Sequence, residues 1–239
     1  MSKNICKLTI IITLILLFAN IPNTHSTIIT QNFQEINKKN EIKINPKIDE
    51  IIDKINYTLV KDFLYKLISF GPRMTSTHGC KITGDYIYNK FKEFGLDAEK
   101  RPWSGLGNRW NKGYYKSYNI VGTKNGTDKD DEEVIIFHSH YDTVKDSVGA
   151  NDDGSGVVGV LTAAYILTQY DFNKTIKFVT FSGEEIGLLG STYYAKEIYN
   201  ENLDLLVGIN ADMIGKSISK EDGKKIRLSY SEDTDWIID

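Results

Sequence analysis

The sequence predicts an α/β domain with a mixed, mostly parallel central sheet and helices on both faces. Two observations predict this architecture. Apolar segments of helical spacing alternate with short apolar segments of strand length through most of the 239-residue chain. Acidic and histidine-containing motifs follow several of the short segments directly, as expected at the carboxyl ends of parallel strands. Hydrophobic residues make up 41% and charged residues 26% of the chain, which is typical of one sizeable globular domain.

The first 26 residues have the pattern of a secretory signal peptide. Lys3 and Lys7 precede an apolar run over residues 8–19 that is interrupted by two threonines. This run is short for a bilayer span, and small residues precede a plausible cleavage point near Ser26. We therefore expect export, with an uncleaved membrane anchor as the alternative. Cleavage would remove two lysines and change the formal charge from -3 to -5.

Charge and cysteine content disfavour two classes of function. Lysines and arginines are scattered among acids rather than gathered in a basic stripe, so we expect no nucleic-acid binding. Cys6 lies in the signal segment and leaves Cys80 alone. Neither an internal disulfide nor a thiolate metal cluster is therefore expected.

The first helices are predicted from hydrophobic periodicity. Residues 27–46 are rich in Asn, Lys, Gln and Thr and show little periodicity, so they predict a flexible linker before a domain over 47–239. Apolar residues recur at helical spacing over 47–70, and Gly71 with the following proline stops this pattern. A second amphipathic helix is predicted over 81–94.

The rest of the chain is predicted to alternate strands with helices. Residues 156–170 are apolar nearly all round, which indicates a buried helix, and residues 205–209 indicate a buried strand. The predicted strands are 118–121, 134–138, 176–181, 205–209 and 226–230, and the helices between them are 156–170 and 187–199.

Five side chains are candidates for a carboxylate-rich metal site. Hard oxygen ligands together with imidazole suit a divalent metal that activates water. Because the motifs follow strands, we expect their side chains to meet at one edge of the sheet. The candidates are His140 in HSHYD, Asp152 in GANDDGSG, Glu184 and Glu185 in FSGEE, and Asp212 in NADMIG.

The motif around His140 also has an interpretation that requires no metal. A histidine that binds metal usually donates its other N–H to a carboxylate, and Asp142 is near enough in sequence to orient His140 in this way. A strand-end histidine facing solvent would explain the same residues. His138 lies on the same strand face and could substitute as a ligand, although a core histidine is the favoured interpretation.

The acidic motifs differ in specificity. Two acids in a glycine-flanked loop before an apolar helix are costly to explain by packing, so Asp152 is assigned to metal and Asp153 to a helix cap or loop. Glu184 and Glu185 would repel each other unless a cation or shared proton offsets them, but a solvated acidic turn is the alternative. Asp212 alone would be an ordinary turn residue.

Together these motifs resemble the family of co-catalytic two-zinc exopeptidases, which includes secreted bacterial aminopeptidases and glutamate carboxypeptidases. The resemblance extends from about Tyr57 to Asp212 and is most specific over 134–214. It also implies a cis peptide bond between Asp152 and Asp153. The roles it implies are ligation of one zinc by His140 and Asp212, bridging by Asp152, ligation of a second zinc by Glu185, general-base catalysis by Glu184, and orientation of His140 by Asp142.

The sequence departs from this family after Asp212. The family supplies a further histidine to the second zinc from a later loop, whereas residues 213–239 contain none. We therefore expect an N-terminal fragment, the product of a split or disrupted gene, or a protein that uses one metal. The strand at 205–209 would then expose an unpaired edge that invites aggregation or a partner chain.

The expected function is that of a zinc-dependent aminopeptidase-like hydrolase that acts on peptides, with little or no activity in this chain because one imidazole is missing. Two alternatives stay open. The chain could be an impaired fragment or a binding module that keeps the peptidase fold. Within enzymes, carboxypeptidase and glutaminyl cyclase activities are alternatives, because no residues that recognise a substrate terminus are legible in the sequence.

Overall fold

The computed structural model describes residues 45–217 and residue 219, and these form the predicted α/β architecture. The signal peptide, residues 27–44 of the linker and the predicted strand at 226–230 lie outside the described residues. The elements are α1 (Pro46–Asp53), α2 (Tyr57–Ile68), α3 (His78–Glu93), β1 (Asp97–Leu106), β2 (Tyr114–Lys124), β3 (Val134–His140), α4 (Gly154–Leu167), β4 (Thr175–Phe181), α5 (Leu189–Asn200) and β5 (Leu205–Asn210).

The five strands form one mixed sheet in the order β1-β2-β4-β3-β5. β3 is parallel to both β4 and β5, whereas β2 is antiparallel to both β1 and β4. Four strands therefore run in the same direction and β2 alone runs against them, which confirms the mostly parallel prediction. The carboxyl ends of β3, β4 and β5 lie side by side at one edge.

Helices cover both faces of the sheet. On one face, α1 to α4 pack with Ile120, Phe137 and Phe178 into the larger core. On the other face, Tyr194 of α5 packs against Val121 and neighbouring strand residues in a smaller cluster. α4 is the most deeply placed helix, since all its residues except Tyr165 are buried. This burial confirms the prediction from its all-round apolar sequence.

Helix boundaries differ from the predictions in the N-terminal part. The periodic segment 47–70 forms two helices rather than one, because the Asn56 side chain accepts a hydrogen bond from the Thr58 amide and starts α2 afresh. α1 begins at Pro46, the residue with which the predicted linker ended, and Asn45 caps it.

Two strands also differ from the predictions. β1 was not predicted, because its sequence DAEKRPWSGL is mostly polar and contains Pro102. Trp103 is the one buried residue of this strand. The prediction that 205–209 is buried was wrong: among the described residues β5 ends the sheet order, and in it only Val207 is buried.

Within residues 45–217 and 219, no helix combines the length and apolar content needed to cross a bilayer.

Candidate metal centre

Three of the predicted ligands meet at the carboxyl edge of the sheet. His140 is the last residue of β3, Asp212 follows β5, and Asp152 lies in the loop before α4. One ligand atom from each residue lies within 4.8 Å of the other two. His140 Nε2 and Asp152 Oδ1 are 3.1 Å apart. The three side chains thus converge although 72 residues (212 − 140) separate the first from the last.

The two glutamates after β4 approach the same place. Glu184 Oε2 lies 3.9 Å from His140 Nε2. Glu185 Oε1 accepts a hydrogen bond of 3.2 Å from the Val144 amide, so this carboxylate is held at the rim of the group. Both glutamates therefore stand beside the three converging ligands, with Glu184 the nearer to the imidazole.

The turn that carries the glutamates depends on a close approach between Gly183 and Trp103. Gly183 has φ +79, and a Cβ atom there would lie 2.5 Å from the Trp103 ring. The indole Nε1 donates to Ser182 Oγ at 2.9 Å, which anchors the start of the turn. The unpredicted strand β1 thus supports the FSGEE motif.

Asp142 links the loop that follows His140 to the turn that carries Glu184 and Glu185. It is fully buried and accepts hydrogen bonds from the Glu184 and Glu185 amides at 3.2 and 3.3 Å and from Thr75 Oγ1 at 2.8 Å. Its Oδ1 lies 3.6 Å from His140 Nδ1, which is too long for a hydrogen bond. Nδ1 therefore faces Asp142, and it has no hydrogen-bond partner within the described part of the chain.

Asp153 caps α4 and also accepts hydrogen bonds from two other segments of the site. Its Oδ1 accepts from the Gly156 amide at 2.9 Å, which confirms the predicted cap of α4. Oδ1 also accepts from the Met213 amide at 3.1 Å, and Oδ2 accepts from the His140 amide at 3.3 Å. One buried carboxylate thereby joins the three segments that carry His140, Asp152 and Asp212. The peptide bond between Asp152 and Asp153 is cis, as the resemblance implied.

The pKa values of the acidic side chains and of His140 are shifted in directions that a bound cation would offset. Burial raises the pKa of Glu184, and burial together with Asp152 raises the pKa of Glu185 to about 7. Burial also raises the pKa of Asp153 well above its usual range, although His140 opposes the shift. Burial alone would lower the pKa of His140, but the surrounding carboxylates outweigh it and raise the pKa to about 10. The carboxyl shifts therefore reflect burial first and neighbouring negative charge second, whereas the histidine shift reflects the neighbouring carboxylates.

The donor set fits zinc. One imidazole and several carboxylate oxygens are ordinary zinc ligands. His140 Nε2, which faces Asp152 Oδ1 at 3.1 Å and Glu184 Oε2 at 3.9 Å, is the ring atom that such an ion would need. His138, considered as a substitute ligand, is not in the group found among the described residues. Its ring packs edge-on to Phe181 with centroids 5.3 Å apart, and burial lowers its pKa to about 4.

Two residues near the group had no signal in the sequence. Arg73 and Thr75 lie in the segment after α2, about seventy residues before the histidine loop they contact, with separations of 68 and 67 residues. Neither belongs to a recognisable motif. Only the folded chain reveals them, because nothing local to GPRMTST marks it as part of the site.

Comparison with known proteins places these motifs in a family. Residues 119–237 match Peptidase family M28. The aminopeptidase YwaD of Bacillus subtilis (strain 168) is 38% identical over 105 residues, covering 44% of this chain and 23% of that protein. The probable leucine aminopeptidase 2 of Trichophyton verrucosum (strain HKI 0517) is 29% identical over 175 residues, covering 62% of this chain and 35% of that protein. The chain thus spans about a quarter to a third of the length of these relatives.

Solved structures show the same fold. A Zn-dependent exopeptidase from Parabacteroides distasonis superposes with a TM-score of 0.59 at 23% identity, covering 68% of this chain and 63% of the other. A glutaminyl cyclase from Fimbriiglobus ruber superposes with a TM-score of 0.59 at 19% identity, covering 66% and 62%. One fold thus hosts proteins with different names, so the chemistry must be argued from the site.

Proposed function

Because residues 119–237 match Peptidase family M28 and a Zn-dependent exopeptidase has the same fold, we propose that the chain supplies the metal ligands and the general base of a zinc-dependent aminopeptidase. The convergence of His140, Asp152 and Asp212 within 4.8 Å carries this proposal. The names of the relatives, an aminopeptidase and a probable leucine aminopeptidase, support peptides with a free amino terminus as substrates.

The convergence of His140, Asp152 and Asp212 supports one zinc site, which these three residues would hold. The family resemblance adds a second ion, which Asp152 with Glu185 would hold. When bound, zinc supplies Lewis acidity that makes water a competent nucleophile near neutral pH and polarises a carbonyl group. Asp142 Oδ1 faces His140 Nδ1 at 3.6 Å, and Asp142 would orient the imidazole once the two atoms came within hydrogen-bonding distance.

Glu184 is the proposed general base. Its carboxylate is about one-third exposed, and Oε2 lies 3.9 Å from the imidazole, so it can reach both the site and incoming water. Burial and neighbouring carboxylates raise its pKa, which suits a group that must take and then return a proton. Glu184 would remove a proton from water and donate it to the leaving amine of the cleaved peptide.

A glutamine substitution tests this role. Relative to the turnover of leucyl-nitroanilide that the wild-type chain retains without the missing imidazole, we expect Glu184→Gln to lower kcat by about 10²- to 10⁴-fold while the zinc content is unchanged, since the variant loses the base but no ligand. Glu93→Gln is the matched control, because Glu93 lies on α3 and pairs with Lys90 on the surface. Chelator-sensitive turnover that survives in Glu184→Gln would refute the assignment.

The same assay separates the alternatives. Zinc binding by the wild-type chain without turnover would favour a binding module or an impaired enzyme. Release of ammonia from a peptide that begins with glutamine would favour cyclisation, whereas release of a free amino acid favours hydrolysis. Release of the carboxyl-terminal residue would favour a carboxypeptidase.

Export is proposed from residues 1–26 alone. Expression in a host that secretes proteins, followed by sequencing of the amino terminus, tests it. A mature chain that begins near residue 27 would support a cleaved signal, and a membrane-bound chain that begins at Met1 would support an anchor.

A further inference from the structure

Arg73 is fully buried beneath the candidate metal centre. Its relative exposure is 0%, although arginine is among the residues least often buried. Burial lowers the pKa of its guanidinium, and the nearby carboxylates Asp142 and Asp153 oppose that shift. Arg73 lies outside residues 119–237, the part of the chain that matches the peptidase family. Its burial therefore needs a reason of its own.

The guanidinium joins the two ends of one loop. Nε donates to the Tyr141 carbonyl at 2.8 Å, next to the ligand His140. Nη1 donates to the Val148 carbonyl, and Nη2 donates to the Gly149 carbonyl at 3.1 Å, shortly before the ligand Asp152. The two ligands are 12 residues apart in sequence, and the side chain of Arg73 closes most of the loop between them.

The backbone around Arg73 reinforces this closure. The Arg73 amide donates to Thr143 Oγ1 at 2.9 Å, and that hydroxyl donates within the same loop. Gly149 has φ +53, and a Cβ atom there would lie 2.8 Å from Arg73 Nη2, so only glycine permits the approach. Ser76 anchors the segment from the other side, since its hydroxyl exchanges hydrogen bonds with the backbone N–H and carbonyl of Lys116.

A fixed loop has a direct consequence for ligand spacing. A free loop of this length would sample many separations of its ends, and holding them together costs conformational entropy. The planar guanidinium presents its donors in a rigid fork, so it can hold several carbonyls at once with little further ordering. Lysine has one ammonium on a flexible stem and cannot span the same acceptors.

We propose that Arg73 is a positioning residue of the metal centre, which holds His140 and Asp152 at binding distance before the ion arrives. This inference rests on the metal-binding part of the proposed function and does not require peptidase activity. Arg73 acts through the loop from Tyr141 to Gly149, because its guanidinium donates to backbone carbonyls of that loop.

Zinc affinity tests the proposal on the full chain. Wild type, Arg73→Met, Arg73→Lys and the control Arg101→Met are titrated with zinc against a chromophoric chelator, and the thermal unfolding of each metal-free protein is recorded. Arg101 is the matched control because it is a partly buried arginine that pairs with Glu197 and Glu201 away from the metal centre. We expect Arg73→Met to weaken zinc binding about 10- to 100-fold, the usual effect of losing an outer partner of a ligand.

The two substitutions separate positioning from simple stabilisation. Arg73→Lys keeps the charge but loses the fork, so we expect weakened zinc binding and faster hydrogen exchange of amides over 141–151. Arg101→Met should lower the unfolding temperature without changing zinc affinity. A folded Arg73→Lys or Arg73→Met protein with wild-type affinity and wild-type exchange would overturn the role of Arg73 alone. A wild-type chain that binds no zinc would overturn the metal centre and this proposal with it.

Discussion

Replacing Asp153 should separate the loss of one hydrogen bond from the loss of three. In Asp153→Asn, the amide oxygen can keep the Gly156 and Met213 bonds that Oδ1 accepts. The amide nitrogen would then face the His140 N–H, which Oδ2 serves in the native chain. One buried donor is left unpaired, and we expect a loss of about 1–3 kcal/mol in the free energy of unfolding.

Asp153→Ala removes both acceptor oxygens and with them all three hydrogen bonds. The His140 and Gly156 bonds are buried and the Met213 bond is partly buried. Leaving the two buried donors unpaired should lower the free energy of unfolding by about 2–6 kcal/mol. This is a large part of the roughly 5–15 kcal/mol by which domains are usually stable. Asn56→Ala is the control, because it removes one exposed cap of α2 and should cost about 0.5–2 kcal/mol.

Urea unfolding followed by circular dichroism in chelator measures these differences. The expected order of destabilisation is Asp153→Ala first and Asp153→Asn second, and the amide variant should keep its cooperative transition. If the two Asp153 variants are equally unstable, the separate bonds on Oδ1 do not matter. If neither variant differs from wild type, the idea that this carboxylate holds three segments together is refuted.

Two further outcomes are expected. Zinc at about a hundred times its dissociation constant should raise the free energy of unfolding by about 2.7 kcal/mol, and EDTA should reverse the effect. Scanning fluorimetry measures the corresponding change in unfolding temperature. An unfolding temperature that neither zinc nor EDTA changes would contradict the metal centre. Burial and then Asp142 raise the pKa of Cys80 from 9.0 to about 11, so its contribution to stability is full below pH 9 and is lost as the pH rises through about 11. In a Cys6→Ser background, iodoacetamide should accordingly label Cys80 slowly at pH 8 until urea unfolds the chain, and rapid labelling of the native protein would argue against this burial.

Local sequence patterns were sufficient for elements that bury a continuous apolar segment. β3, β4 and α4 were predicted within a few residues, because their apolar composition and hydrophobic period indicate buried elements directly. β1 was missed because an edge strand needs few apolar residues, and the tryptophan that matters in it packs against a turn some eighty residues away. The burial of β5 was overestimated for a related reason, since an apolar segment does not say what covers it.

Sequence patterns likewise predicted one part of the candidate site and missed another. His140, Asp152 and Asp212 were found from motifs that end strands, and the structure brings them together. Arg73, Thr75 and the bonds of Asp153 to the His140 and Met213 amides were not found, because each depends on contacts between segments that only the tertiary fold makes adjacent. Sequence patterns identified the groups that could bind an ion but not the groups that hold them in place.

Hydrogen bonding distinguishes two kinds of acid in this crowded group. Asp142 and Asp153 are fully buried, and each accepts three hydrogen bonds from the protein. By contrast the side chains of Asp152 and Glu184 are 49% and 34% exposed. A buried carboxylate is tolerated only when donors or a cation compensate its lost hydration, and the protein itself supplies those donors to the first pair. The first pair thus joins the segments that carry the candidate ligands, and the second pair is left accessible to solvent.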